Sequence, residues 1–140
     1  MPIAFDTNIL AYASGVGQST ADRAKEGLAE ALLADVLATS QPVIPIQVAF
    51  ELHNLLVRKR GHSREVAAQI VQDYLDGALA VPSDVALLET AFDLAQTHKI
   101  QTYDAVILAA AAHAGCEILY SEDMQHGFAW GGVAVINPFI

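Results

Sequence analysis

Pro2-Ile3-Ala4-Phe5-Asp6-Thr7-Asn8-Ile9-Leu10 is the stretch on which the fold turns. Its apolar run reads as a short buried strand, and Thr7 to Ser14 continue in helical period. Asp6 stands at the junction, where an acid is a poor choice unless it binds something. Three more acids share that oddity. Glu51 lies inside Val48-Ala49-Phe50-Glu51-Leu52, Asp104 opens the apolar run from Ala105 to Ala112, and Asp123 follows closely on Ile118-Leu119-Tyr120. An ionised carboxylate in a low-dielectric site is costly unless it is paired or coordinates a metal. The chain has seven Lys and Arg against sixteen Asp and Glu. A shared divalent cation therefore accounts for all four acids at once.

Outward from this strand, Gly15-Val16-Gly17-Gln18 reads as a loop, and Ser19 or Thr20 caps a helix through about Ala38. Val43-Ile44, set between two prolines, marks a second strand within Gln41 to Pro45. Gln47 to Lys59 returns to helical period, with Val48, Leu52, Leu55 and Leu56 on one face, and Gly61 ends it. Ser63 starts a helix through about Asp76, Gly77 to Val81 is a third strand, and Ser83 caps a helix from Asp84 to His98. Tyr103-Asp104 begins a helix through Ala114. Glu117 to Tyr120 and Gly132 to Ile136 complete the strands. Short apolar strands alternating with helices imply an α/β fold with a mostly parallel sheet of four to five strands and helices on both faces. Ligands in such folds bind at the carboxyl ends of the strands. Asp6 and Asp123 fall at two such ends, Glu51 in the helix after the second strand, and Asp104 at a helix start.

The length of 140 residues is that of one domain, spanning 1–140, with room for a real core. No apolar stretch reaches the roughly 18 residues of a spanning helix. The first residues carry no basic segment of the signal-peptide kind, so a soluble, cytoplasmic chain without a membrane partner is expected. Cys116, the one cysteine, forms no internal disulfide and reads as a small buried hydrophobe. A net charge of -9 argues against general attraction to nucleic acid. Against that, Arg58, Lys59, Arg60 and Arg64 put four of the seven cations within seven positions. They read either as a solvated helix end or as a contact for phosphates or an acidic partner.

Hard oxygen ligands suit Mg²⁺ or Mn²⁺, and the five histidines are scattered without zinc spacing. A cation so held can activate water and neutralise charge on a phosphate, which is the design of phosphodiester hydrolysis. Each acid alone has a plainer reading. Asp6 and Asp104 could cap the helices that follow them, Glu51 could lie on a polar helix face, and Asp123 in a turn. A phosphatase of the haloacid-dehalogenase kind wants a second acid at the position of Asn8. Trp130 reads as a packing residue or as a contact to substrate or partner.

Taken together, Asp6-Thr7-Asn8-Ile9-Leu10, Glu51-Leu52-His53-Asn54-Leu55-Leu56, Tyr103-Asp104-Ala105 and Ser121-Glu122-Asp123 resemble a PIN domain over essentially the whole chain. The closing Gly131-Gly132-Val133-Ala134-Val135-Ile136-Asn137-Pro138-Phe139 is similar to the tail of VapC-like toxin ribonucleases. The resemblance implies a PIN-like three-layer sandwich and a Mg²⁺- or Mn²⁺-dependent endoribonuclease acting on RNA. It also implies a homodimer and inhibition by a small antitoxin. Carried over, Asp6, Glu51 and Asp104 hold the metal, directly or through water, and Asp123 completes the pocket. Asn8 and Ser121 support them by hydrogen bonds. The family often has a further acid two residues past the fourth. Gln125 stands there instead, which leaves open whether there are one or two ions. Glu122, adjacent to Asp123, is expected to point into solvent. A PIN module that binds RNA or protein without catalysis is the alternative, and such a module would usually have lost one of the acids.

Overall fold

The apolar run after Met1 forms the strand that its sequence predicts, β1 (Pro2–Phe5), and this strand is central to the sheet. The structure, a computed structural model, describes residues 1–15 and 19–140. Most of the loop expected at Gly15 to Gln18 thus lies outside the described residues. The chain continues through α1 (Thr7–Ala13), α2 (Thr20–Thr39), β2 (Gln41–Pro45), α3 (Ile46–Arg58) and α4 (Arg64–Asp76). It then runs through β3 (Leu79–Val81), α5 (Val85–His98), α6 (Thr102–His113), β4 (Ile118–Tyr120), β5 (Ala129–Trp130) and β6 (Val133–Ile136). The strands order as β3-β2-β1-β4-β6-β5. All pairings are parallel except that of β5 with β6.

The sheet therefore has six strands, where four to five were expected. The extra one is two residues long, too short for a period-2 signal. It forms because Gly131 and Gly132 both take positive φ, 59° and 82°, and fold Ala129–Trp130 back on Val133–Ala134. An added Cβ at Gly131 would stand 3.1 Å from the Ala112 Cβ, so this turn is also held tight against α6. Trp130 is half-buried and packs against the core, in line with its packing reading.

Three helix starts sharpen or shift the sequence reading. Ser19, not Thr20, caps α2, its Oγ accepting the Asp22 N–H at 3.1 Å. Asp84, not Ser83, caps α5, its carboxylate accepting the Leu87 N–H at 2.8 Å. Both residue types cap well, and the register of the third amide decides between neighbours. Finally, α6 begins at Thr102 with Gln101 as its cap.

Burial follows from the sequence. Phe5, Ile9, Leu10, Leu52, Leu56, Ile107, Leu108 and Leu119 are fully buried in one core. Helix α6 is apolar all round, with Ala105 to Ala111 all buried, so it runs through the interior. Cys116 is buried as expected, and burial lifts its thiol to about 11. Among the described residues, no helix is long and apolar enough to cross a membrane.

Strand β1 is where the chain changes direction across the sheet, with β2 and β3 on one side and β4 and β6 on the other. Such a switch point leaves a crevice at the carboxyl ends of the flanking strands. Here those ends are Phe5 and Tyr120, which are paired in register.

Candidate active site

The ladder between β1 and β4 sets the first two residues of the site. It extends one step past the strands, with the Asp6 N–H donating to the Tyr120 carbonyl at 2.9 Å. That step brings Asp6 and Ser121 side by side, and the Ser121 hydroxyl donates to Asp6 Oδ2 at 2.7 Å. Asp6 Oδ1 accepts the Thr7 N–H at 2.7 Å, so Asp6 also caps α1. The capping reading of Asp6 holds, and the same side chain lines the acidic cavity. Asp6 is 5% exposed and Ser121 is 0% exposed.

Thr7 connects this pair to the next acid. Its hydroxyl donates to Glu51 Oε2 at 2.7 Å, and Gln47 Nε2 donates to Glu51 Oε1 at 3.3 Å from one turn earlier on α3. Asn8 Nδ2 donates to Asp123 Oδ2 at 2.7 Å. Asp-Thr-Asn is thus a unit in which each residue holds part of the acidic set. Asp104 enters from the first turn of α6, where the Gln101 side chain accepts its N–H at 3.1 Å. It is a residue within the helix, not its cap. Ser121 Oγ also accepts the Met124 N–H at 3.2 Å, which shapes the loop carrying Asp123.

Asp6, Glu51, Asp104 and Asp123 line one cavity of about 260 Å³, together with Asn8. Asn54, Arg58 and Lys59 share its wall. Five of the six side chains expected at the site therefore line this cavity, and the sixth, Ser121, is bonded to Asp6 behind it. Sequence reasoning missed Thr7, whose signal was its place between Asp6 and Asn8, and Asn54, which lies one turn beyond Glu51. Glu122 corrects an expectation. It does not point into solvent but accepts the Tyr12 hydroxyl at 3.0 Å and pairs with Lys25 from α2. An acid adjacent to the site is thereby ion-paired and turned into a tie between its loop and α2.

The electrostatics are those of anions confined together. Asp6 is raised from 3.8 to about 6, first by burial, with the negative charges of Asp104 and Glu51 adding to it. The Ser121 and Thr7 hydrogen bonds oppose the rise. Asp104 is raised by burial, then by Glu51 and Asp123. Asp123 is raised by burial, then by Glu122 and Glu51, while Lys25 and Lys59 pull it back. Among the described residues, no three Asp, Glu, His or Cys side chains converge closely enough to hold a cation as they stand. The donor set nevertheless fits Mg²⁺ or Mn²⁺. It offers hard anionic oxygens whose mutual repulsion a divalent charge would relieve.

One consequence is measurable on the metal-free chain. A raised carboxyl destabilises the fold while it is ionised, that is, above about pH 6. The penalty fades as pH falls from there to 3.8, because the folded chain then takes up the proton first. The rise corresponds to about 3 kcal/mol at most. The lost charged hydrogen bond from Ser121 offsets roughly 1–2 kcal/mol of it in Asp6→Asn. In EDTA at pH 7.5, Asp6→Asn should therefore melt a few degrees above wild type, roughly 3–6 °C. Near pH 4 the advantage should vanish. A lower melting temperature for the variant at pH 7.5 would contradict the assignment of Asp6 as a destabilised anion.

A PIN-domain family model matches residues 3–128, a span that contains all four acids. This chain belongs to the PIN-domain family. No curated protein matches its sequence. Solved structures share the fold of this chain over 84% to 97% of its length. A chain of a toxin–antitoxin complex from Klebsiella pneumoniae superposes with a TM-score of 0.69 at 22% identity, covering 97% of both chains. VapBC2 from Rickettsia felis, bound to a DNA fragment from its promoter, superposes with a TM-score of 0.65 at 15% identity, covering 88% of this chain and 89% of that one. VapC20 from Mycobacterium tuberculosis, a sarcin-ricin loop cleaving toxin, gives 0.69 at 22% identity, covering 84% and 86%. At these identities the likeness is one of fold. The PIN reading of the acids rests on the family match and on the cavity they line.

Proposed function

We propose that this chain is a Mg²⁺- or Mn²⁺-dependent endoribonuclease and the toxin of a toxin–antitoxin pair. The observation that carries the reading is the meeting of four acids, distant in sequence, in one cavity at the carboxyl ends of β1 and β4. The PIN family match supports it, as do the toxin names of the structural neighbours. In this reading Asp6, Glu51 and Asp104 hold the ion, and Asp123 completes the pocket. A bound divalent ion would supply charge neutralisation at the scissile phosphate and a more acidic water. The protein's own part is positioning. Ser121 holds Asp6, Thr7 holds Glu51, and Asn8 holds Asp123, so the carboxylates are oriented before substrate arrives. Mg²⁺-titrated cleavage of RNA by the purified chain tests the reading and separates it from a PIN module that only binds. Cleavage undiminished in EDTA would sink it.

The cations at the end of α3 have a part in the same reading. Arg58 and Lys59 line the acidic cavity, so they stand where the flanking phosphates of a bound strand would pass. Removing both charges should weaken RNA binding and lower the slope of log K against log salt by roughly 1 to 2. An unchanged slope would return them to the role of a solvated helix end.

Protein partners need surface as well. Phe50 is 71% exposed. It lines an apolar trough of about 380 Å³ between α3 and α4, with Ala49, Val71 and Leu75. An apolar trough on the helix that carries Glu51 is the kind of surface an antitoxin helix or a second copy of the chain covers.

A further inference from the structure

A second cavity, of about 230 Å³, opens beside the acidic one and shares Asp104 and Asp123 with it. Its other walls come from the α5–α6 junction and from the loop after β4. They include His98, Lys99, Gln101, Gln125 and Phe128. Nothing in the positioning of the four carboxylates uses these five side chains, apart from the backbone cap that Gln101 provides for Asp104.

Their chemistry is nonetheless coherent. His98 and Phe128 meet edge to face, ring centroids 5.5 Å apart at 70°, and give the cavity an aromatic wall. Gln101 Oε1 is occupied by the Asp104 N–H at 3.1 Å, so its amide is fixed in direction and leaves its NH₂ group to donate. The Gln125 side-chain amide makes no hydrogen bond within the described residues and can both donate and accept. Lys99 ends α5 at φ 56°, and it is the one non-glycine among the described residues in the left-handed region. Glycine or asparagine is the ordinary choice there. A lysine takes that backbone strain at a position that lines the cavity. Arg58 and Lys59 line the first cavity, which shares Asp104 and Asp123 with this one. The two adjoining cavities together are lined by cationic residues, four acids, two amides and an aromatic pair.

We infer that the cavity between the α5–α6 junction and the loop after β4 is a nucleotide subsite. It seats one base of a single-stranded RNA next to the scissile phosphate, with Gln101 and Gln125 reading its edge and Lys99 holding its phosphate. Single-stranded RNA is recognised by this combination, in which bases lie against aromatic rings, amides address base edges and cations address phosphates. The departure at Gln125, where the family often places an acid, gains a reason. An amide there contacts a base without adding charge that would repel the phosphate. The inference rests on the proposed ribonuclease reading.

The test uses the four ribonucleoside 5′-monophosphates, titrated separately into the ¹⁵N-labelled full chain with Mg²⁺ present. None contains a phosphodiester bond, so the readout does not depend on cleavage. Amide shifts are expected at Lys99, Gln101, Gln125 and Phe128, with one base preferred by about fivefold or more. Gln125→Ala should erase that preference while leaving the spectrum of the fold intact. Lys99→Ala should weaken all four nucleotides alike, by about tenfold. No shifts at these residues would overturn the inference, as would equal binding of all bases unaffected by Gln125→Ala. Shifts there from an antitoxin tail, with none from any nucleotide, would overturn it in favour of a partner contact. Nucleotide binding in this cavity by a chain that cleaves no RNA would instead leave the subsite standing and remove the ribonuclease reading.

Discussion

Asp104→Asn is expected to reduce Mg²⁺-dependent RNA cleavage on the order of a hundredfold or more, with the circular dichroism spectrum of the fold unchanged. Glu51→Gln and Asp6→Asn should do the same. An amide keeps the shape of the acid and removes its charge, so the loss would be chemical. The hydrogen bonds already seen support that separation. Thr7 can still donate to the amide oxygen at residue 51, and the Thr7 N–H can still find an oxygen at residue 6. The Asp104 carboxylate accepts no hydrogen bond among the described residues, so its amide variant is the cleanest of the three. Asp123→Asn should have a smaller effect, since Asp123 is more exposed and is partly compensated by Lys25 and Lys59. Nuclease activity retained by Asp104→Asn in a preparation free of contaminating ribonuclease would remove the carboxylate mechanism. Asn8→Ala and Ser121→Ala touch no scissile group directly. Any loss they cause would measure how far orientation of Asp123 and Asp6 contributes.

Much of this site is legible in the sequence because charge is expensive where apolar residues dominate. Asp6, Glu51, Asp104 and Asp123 each interrupt or border an apolar run, and the alternation of strands and helices puts them at one end of one sheet. What the sequence does not carry is reach. Thr7 bonds to Glu51 across 44 positions, and Lys25 pairs with Glu122 across 97. Neither contact has a local pattern to announce it, so Thr7 passed as part of a helix start and Glu122 as a surface acid. Shortness hides structure as well. The two-residue β5 owes its existence to a pair of positive-φ glycines and to its antiparallel partner, not to its own side chains. Adjacent capping residues at 83 and 84 could not be ranked by type alone.

The remaining large effect concerns restraint. A ribonuclease acting on cellular RNA must be held in check, and the features of this surface suggest how. The cavity formed by the four acids is a counter-charge for an incoming Arg or Lys, which would compete with the divalent ion for the same oxygens. Asp6 and Asp104 are both raised by burial and by neighbouring acids, so an arriving cation gains by lowering them. The apolar trough beside Phe50 lies on the same α3 that carries Glu51, so one partner segment could bury a hydrophobic face and extend a basic side chain into the pocket. The net charge of -9 would speed the encounter with a basic segment. Expression of this chain alone is expected to arrest bacterial growth. Co-expression of a cognate antitoxin should restore growth, and Asp104→Asn should be harmless without it. The mode of restraint has its own signature. Phe50→Asp should leave the toxicity intact but weaken rescue by the partner, since it changes the trough and not the acids. Harmless overexpression of a wild-type chain that cleaves RNA in vitro would point to a housekeeping nuclease. Rescue undisturbed by Phe50→Asp would move the partner's docking surface elsewhere.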